Sequence, residues 1–159
     1  MTKGWAIGRA TDADAPAVAG LVGELLDEIM RHYGERAFWF DREGTEARVV
    51  EAVACERLFI WIARAPDGEP LGVVTVCESY ALYAEGLFAT ITELYVVPAA
   101  RSHGVGAELI ERARIFGRER GWGRLEVTTP PLPAFDRSLA FYERQGFAVT
   151  GGRKLKFVL

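Results

Sequence analysis

Chemistry is most strongly indicated where a run of β-forming residues ends at Pro98 and glycines follow at positions 104 and 106. Proline cannot donate a ladder hydrogen bond, and glycine lets the backbone turn tightly and approach a ligand closely. The apolar residues after Gly104 recur at helical spacing, so the pattern predicts a strand, a turn and a helix. Free N–H groups at the start of such a helix, with the charge of Arg101, are suited to holding a phosphate.

Glycines at this spacing also have a simpler explanation, which is a strand-to-helix turn that needs glycine only for its conformation. The pattern is not a P-loop, because no Gly-Lys-Ser/Thr follows it. It is not a dinucleotide fingerprint either, because a third glycine and a ribose-binding acid are missing. Phosphate binding by another kind of loop therefore stays open.

Residues 94–106 resemble motif A of the GNAT N-acetyltransferase superfamily, in which Arg/Gln-x-x-Gly-x-Gly/Ala follows a strand. The resemblance implies that loop amides hold the pyrophosphate of acetyl-CoA and that backbone groups of Tyr95, Val96 and Val97 pair with its pantetheine arm. Ser102 stands where glycine is usual, and His103 stands where Lys or Arg is frequent. The implied cofactor-binding residues are Tyr95, Val96, Val97, Arg101, Ser102, His103, Gly104, Val105, Gly106 and Ala107.

A second segment, residues 138–147, resembles motif B of the same superfamily, in which a helix with an aromatic pair runs into Gly-Phe. The pair here is Phe141 and Tyr142, and Phe135 replaces the Asn that the family often has seven residues before the tyrosine. The resemblance implies that Tyr142 is the general acid, since a tyrosine with a pKa of about 10 keeps its proton at neutral pH. The alternative is a half-buried aromatic of an amphipathic helix.

Glu93 is the candidate general base, because a carboxylate early on a central strand is out of place unless it faces a cavity. A strand-end carboxylate in solvent is an equally good interpretation. Three acids on the first predicted helix could instead attract a cationic amine, although a solvated helix face is favoured for them. They are Glu24, Asp27 and Glu28.

The elements that must position these residues follow from periodicity and turn chemistry. The sequence predicts the order β-α-α-β-β-β-α-β-α-β-β, an α/β fold with an α+β mixed sheet, in one domain over residues 1–159. The resemblance implies the GNAT acyltransferase fold, with the motif strand splayed from its parallel neighbour at 125–129. Residues 79–86 are predicted as a loop, and the last two strands at 147–150 and 153–159. Three aromatics at 38–40 are expected to cap the core, with a wall of the acceptor pocket as the alternative.

Composition limits the function further. The 159 residues are 50% hydrophobic, which fits one folded domain with a proper core. A net charge of −3 argues against nucleic-acid binding, and so against a toxin that acetylates aminoacyl-tRNA. Two cysteines make no disulfide framework, two isolated histidines predict no metal site, and no apolar run suits a membrane span. We expect a cytoplasmic protein, and the Arg- and Ala-rich composition suggests a bacterial one.

The resemblance therefore implies an acetyl-CoA-dependent N-acetyltransferase that acts on a primary amine of a small molecule or peptide by direct transfer in a ternary complex. A non-catalytic acyl-CoA-binding regulatory module on the same fold is the alternative, and the presence of both Tyr142 and Glu93 favours the enzyme. The resemblance also suggests a homodimer, which no residue in the sequence demonstrates. Nucleic acid, membrane and metal are not expected as partners.

Overall fold

The computed structural model describes residues 4–159, in two compact units that divide between Thr128 and Thr129. The described part of the second unit contains one helix, α4 (Asp136–Arg144). The described part of the first unit contains five strands and three α-helices. They are β1 (Ala6–Arg9), α1 (Ala15–Tyr33), α2 (Arg42–Ala54), β2 (Phe59–Arg64), β3 (Pro70–Ala81), β4 (Gly86–Val96), α3 (Val105–Arg120) and β5 (Leu125–Val127).

The five strands form one sheet in the order β1-β2-β3-β4-β5. The first four strands pair antiparallel with their neighbours, whereas β4 and β5 are parallel and are joined through α3. Parallel neighbours need a crossover of this kind, because a tight hairpin cannot connect them. The mixed sheet with its helices confirms the predicted fold class.

Local chemistry explains where the helices begin and end. The carboxylate of Asp41 accepts a hydrogen bond from the N–H of Gly44 at 3.1 Å and so caps the start of α2. Pro16 lies in the first turn of α1, where its missing N–H has no helical partner to lose. Gly34 ends the same helix in the left-handed conformation, with φ at 72°.

The sheet is covered on both faces, and alternate residues of β2 show this. Ile60 and Ile62 belong to a buried cluster with Val18 and Leu21 of α1. Their neighbours on β2 point the other way, since the rings of Phe59 and Trp61 contact Phe116 of α3, and the Phe59 and Phe116 centroids lie 4.8 Å apart. Strand residues alternate between faces, so α1 and α3 lie on opposite sides of the sheet.

The C-terminal segment corrects the prediction, because residues 145–159 form no strand. Alternating apolar residues suggested two strands there, but a strand also needs a neighbour for its main-chain hydrogen bonds. Gly146 and Gly152 have φ values of 89° and 98°, which interrupt an extended backbone. Leu155 and Phe157 are 91% and 86% exposed, so burial does not hold this segment.

The loop predicted at 79–86 is also corrected, because β3 continues to Ala81 and β4 starts at Gly86. Only a short 3₁₀ turn, Leu82–Ala84, connects them. Within residues 4–159, no helix combines the length and the apolar character needed to cross a bilayer.

Candidate active site

Strand β4 changes its pairing halfway along its length. From Ala89 to Ile91 it pairs with β3 on one side and with β5 on the other. Because β5 ends at Val127, opposite Ile91, residues 92–96 of β4 pair with β3 alone. This second half of β4 has an edge that no strand of the described residues covers, and we call it the open edge.

A β-bulge marks the start of the open edge. Thr75 of β3 lies opposite Glu93 while Val76 lies opposite Ile91, so Thr92 is an extra residue in β4. Such bulges bend a strand and re-aim its side chains. Neither glycine nor proline occurs near Thr92, and for this reason sequence reasoning missed the bulge.

The direction of the main-chain groups shows which residues the open edge presents. The N–H of Val97 donates to the carbonyl oxygen of Leu71, at the start of β3, at 2.9 Å. Main-chain groups of alternate strand residues point to opposite edges, so Tyr95 and Val97 face β3 whereas Leu94 and Val96 face the open edge. Of the three residues predicted to pair with pantetheine, the open edge therefore presents Val96, together with Leu94.

Glu93 follows the bulge, and two threonines hold its carboxylate. The hydroxyl groups of Thr75 and Thr92 both donate to Oε2, the latter at 2.7 Å. The N–H of Glu93 in turn donates to Oγ1 of Thr75 at 2.9 Å. Oε1 of Glu93 has no hydrogen-bond partner in the described part of the chain. Protein groups thus hold one of the two carboxylate oxygens.

Glu93 lies on the face of the sheet that α1 covers. Its cross-strand neighbour Thr75 is itself opposite Ile60, which packs in the cluster beneath α1. Thr75 is only 2% exposed, although it is polar. Tyr95 shares this face, because it is two residues further along the strand, a separation of about 7 Å. The predicted base and Tyr95 are therefore neighbours on one surface.

The loop between β4 and α3 has two residues in the left-handed region, Ser102 with φ at 64° and Gly104 with φ at 94°. Gly104 is the N-cap of α3, and no side chain caps the helix there. The N–H of Glu108 makes the first helical bond, to the carbonyl of Gly104 at 3.0 Å. The N–H groups of residues 105–107 precede it and have no helical acceptor, so this end of α3 can take an anion.

Arg101 is engaged by protein groups, although it was predicted to bind phosphate. Nη1 and Nη2 donate to the two carboxylate oxygens of Glu28 at 2.9 and 2.8 Å, and Nε donates to the carbonyl of Val96 at 2.8 Å. The guanidinium hydrogen bonds lower the pKa of Glu28. Arg101 and Glu28 are 73 positions apart, and no local pattern in the sequence points to this pairing.

An open cleft lies between the second half of α1 and the end of β4. Its lining includes the carboxylates of Glu24, Asp27 and Glu35, and the side of Tyr95. Burial, and then the negative charges of Glu24 and Glu28, raise the pKa of Tyr95. Glu24 and Asp27 are exposed, as a solvated helix face predicts, and they also contribute carboxylates to a concave surface.

Of the aromatic residues at 38–40, Phe40 and Trp39 have opposite environments. Phe40 packs against α1 so closely that a Cβ placed on Gly23 would lie 2.7 Å from Cε1 of its ring. Trp39 is 79% exposed, with the guanidinium of Arg36 lying 4.3 Å from its ring centroid. The expected capping role is therefore right for Phe40 and wrong for Trp39.

Tyr142 belongs to the second unit, where α4 positions it. Its ring makes edge contacts with Phe141 and Phe147, at centroid distances of 5.4 and 5.5 Å. Burial raises the pKa of its hydroxyl to about 12, because the phenolate is poorly solvated there. Tyr142 therefore keeps its proton throughout the neutral range. Among residues 4–159, no group of three or more His, Cys, Asp or Glu side chains is arranged to hold a metal ion.

Comparisons with known proteins find similar chains among acetyltransferases. Streptothricin acetyltransferase of Streptomyces lavendulae is 38% identical over 57% of this chain and 45% of its own length. Aminoglycoside N(6')-acetyltransferase type 1 of Klebsiella aerogenes is 44% identical over 39% of this chain and 42% of its own length. The matches thus span less than half of each of these relatives.

A solved acetyltransferase from Clostridium acetobutylicum, determined with acetyl-CoA, shares the fold, with a TM-score of 0.78 and 16% identity over 96% of both chains. The model of the acetyltransferase (GNAT) family matches residues 22–147, a range that runs from α1 to the end of the predicted motif B. The open edge, the loop between β4 and α3, and α3 itself all lie within this range. The chain belongs to the acetyltransferase (GNAT) family.

Proposed function

We propose that this protein transfers the acetyl group of acetyl-CoA to a primary amine of a small cationic molecule or peptide, by direct transfer in a ternary complex. The observation that carries the proposal is the open edge of β4, which a short loop at 97–104 connects to the uncapped start of α3. Acetyl-CoA supplies an activated acyl group as a thioester. The rest of the proposal concerns what the residues of this chain do.

The open edge and the loop fit the two polar parts of CoA. The N–H and C=O of Leu94 and the N–H of Val96 can pair with the amides of a pantetheine arm, as a neighbouring strand would, whereas the C=O of Val96 already accepts from Arg101. The N–H groups of Val105, Gly106 and Ala107 suit a pyrophosphate, with Ser102, His103 and Gly104 forming the exposed turn before them. A side chain at Gly104 would strain the backbone of this turn, because φ there is 94°.

The cleft beside α1 supports a cationic acceptor. Glu24, Asp27 and Glu35 add negative charge to its lining, although Arg31 and Arg36 also line it. Carboxylates attract an ammonium group and raise its local concentration. The names of the two curated relatives, a streptothricin and an aminoglycoside acetyltransferase, agree with a small-molecule acceptor.

Two side chains are assigned to proton transfer. We assign Glu93 as the base that deprotonates the acceptor ammonium through a water, so that the neutral amine can attack the thioester carbonyl; its Oε1 has room to accept the proton. As the new C–N bond forms and the C–S bond breaks, the leaving thiolate needs a proton. We assign Tyr142 as its donor, supported by its place in motif B and by the pKa of about 12 that keeps it protonated.

Thermal denaturation with and without acetyl-CoA tests the proposal. Saturation at about 100 times the Kd should stabilise the native state by about 2.7 kcal/mol and raise the Tm by roughly 5–10 °C. Gly104→Val should abolish the shift. Gly121→Val is the matched control, because Gly121 ends the same helix with φ at 84° and should lose stability without losing the shift. A wild-type Tm that ignores millimolar acetyl-CoA contradicts the proposal.

Release of free CoA thiol in the presence of a panel of amines then separates the enzyme from its alternative. Polyamines, aminoglycosides, amino acids and peptides are suitable members of the panel. A non-catalytic acyl-CoA-binding module would show the same Tm shift but would release no thiol with any amine.

A further inference from the structure

We infer that Arg101 is a positioning residue that ties the cofactor loop to α1, and that it does not bind the pyrophosphate of the cofactor. The inference rests on the proposed function, because it concerns how the same loop receives CoA. It begins from the guanidinium group. Three of its five N–H groups are engaged by Glu28 and by the carbonyl of Val96.

Breaking this pair to reach a phosphate would be unfavourable. The side chain of Glu28 is 22% exposed, and both oxygens of its carboxylate accept from Arg101. If the guanidinium swung towards the loop amides, a half-buried carboxylate would lose its counter-charge while the cofactor brought further negative charge. A bidentate pair also fixes orientation, which an exposed single contact does not.

The contacts of Arg101 join three parts of the molecule. Nε holds the carbonyl of Val96, which points away from β3 because the N–H of Val97, in the same peptide, points towards it. The carbonyl at the end of the open edge is therefore already occupied. Nη1 and Nη2 hold α1, and the backbone of Arg101 begins the exposed turn. One planar group thus fixes the open edge, the loop and α1 together.

The part of α1 that Arg101 holds is also the wall of the cleft. Glu28 is one helical turn from Glu24 and directly follows Asp27, and both of these acids line the cleft. A displacement of the loop therefore also moves the part of α1 that lines the cleft, and a displacement of that part of α1 moves the loop. The two substrate sites share one contact, Arg101 with Glu28.

The test is a double-mutant cycle in which isothermal titration measures the Kd of CoA. Arg101→Ala and Glu28→Ala should each weaken binding about tenfold, within the usual range for coupled sites. The double variant should be no weaker than the weaker single variant, because both changes remove one contact. Glu28→Gln keeps the size of the side chain and should weaken CoA in the same direction. Glu28→Gln keeps the inference testable if either alanine variant fails to fold.

The control is Glu46→Ala, which breaks a different Arg–Glu pair of the first unit, with Arg42 Nε 3.2 Å from Glu46 Oε1, and should leave the Kd unchanged. Weaker binding in Arg101→Ala alone, with Glu28→Ala unchanged or tighter, would mean direct phosphate contact and would overturn the inference. Wild-type affinity in all variants would overturn it too, because the pair would then only brace the fold. Absence of CoA binding in the wild type would instead contradict the proposed function.

Discussion

The two halves of β4 belong to one continuous strand and differ in what surrounds them. Residues 89–91 have a strand on each side, and Ala89 and Ile91 are buried. Residues 92–96 have a strand on one side only, and this half holds the bulge, the candidate base and the open edge. One continuous strand is therefore anchored at one end and available for binding at the other.

The difference shows how a rigid sheet can offer main-chain groups to a ligand. A strand with two free edges would be poorly fixed, and one with none would have nothing to present. The bulge at Thr92 marks the change, because it shifts the register in the residue that follows the last pair with β5. We therefore expect substitutions before Thr92 to reduce stability and substitutions after it to reduce activity.

The largest effect should come from Glu93→Gln. Losing a positioned base typically lowers the rate by about 10²–10⁴, and Gln keeps an oxygen for the two threonine hydroxyls, so stability should change little. The fall in kcat/KM should be greatest at neutral pH and should partly recover as pH rises, because more of the amine is then already neutral. The measurement is a pH profile of kcat/KM for both proteins. An unchanged rate and profile would make Glu93 structural, and the acids of α1 would be the next candidates.

Ile91→Ala tests the anchored half. Ile91 is 4% exposed, and truncating such a side chain costs about 2–5 kcal/mol of stability. Urea denaturation should show this loss, while titration of the folded variant with CoA should give the wild-type Kd. Ile91→Val is the milder companion, with a cost of about 0.5–1.5 kcal/mol. A large loss of CoA affinity in the valine variant would show that the two halves do not divide their roles as proposed.

Ser102→Gly should have the smallest effect, and it should stabilise. Ser102 has φ at 64°, a conformation that disfavours side chains, so glycine should gain about 0.5–1 kcal/mol despite its greater freedom in the unfolded chain. Ser138→Gly is the matched control, because Ser138 lies in the first turn of α4 and the same change should cost about 0.5 kcal/mol in helix propensity. Urea midpoints of the two variants should move in opposite directions. A lower urea midpoint for Ser102→Gly would contradict the expectation that Ser102 is strained in the wild type.

Local signals in the sequence predicted most of this arrangement. Pro98 and the glycines at 104 and 121 placed the end of β4 and both ends of α3, because these residues restrict or free the backbone whatever surrounds them. The bulge at Thr92 could not be predicted in this way, since it arises from the register against β3. The pair of Arg101 with Glu28 depends on how α1 packs, which periodicity alone does not specify. The absent C-terminal strands show the same limit, because alternation cannot tell whether a neighbouring strand exists.

The contact between Phe40 and Gly23 has a consequence for redesign of the acceptor range. The segment from Gly34 to Asp41 connects α1 to α2, and its first residues line the cleft. Phe40 fixes the far end of this segment against the bare backbone of Gly23, whereas Trp39 is largely in solvent. A combinatorial library at positions 35–39 can therefore vary the chemistry of the cleft while 23 and 40 stay constant. Natural substitutions at these positions can likewise change which acceptor the cleft binds without altering the cofactor loop.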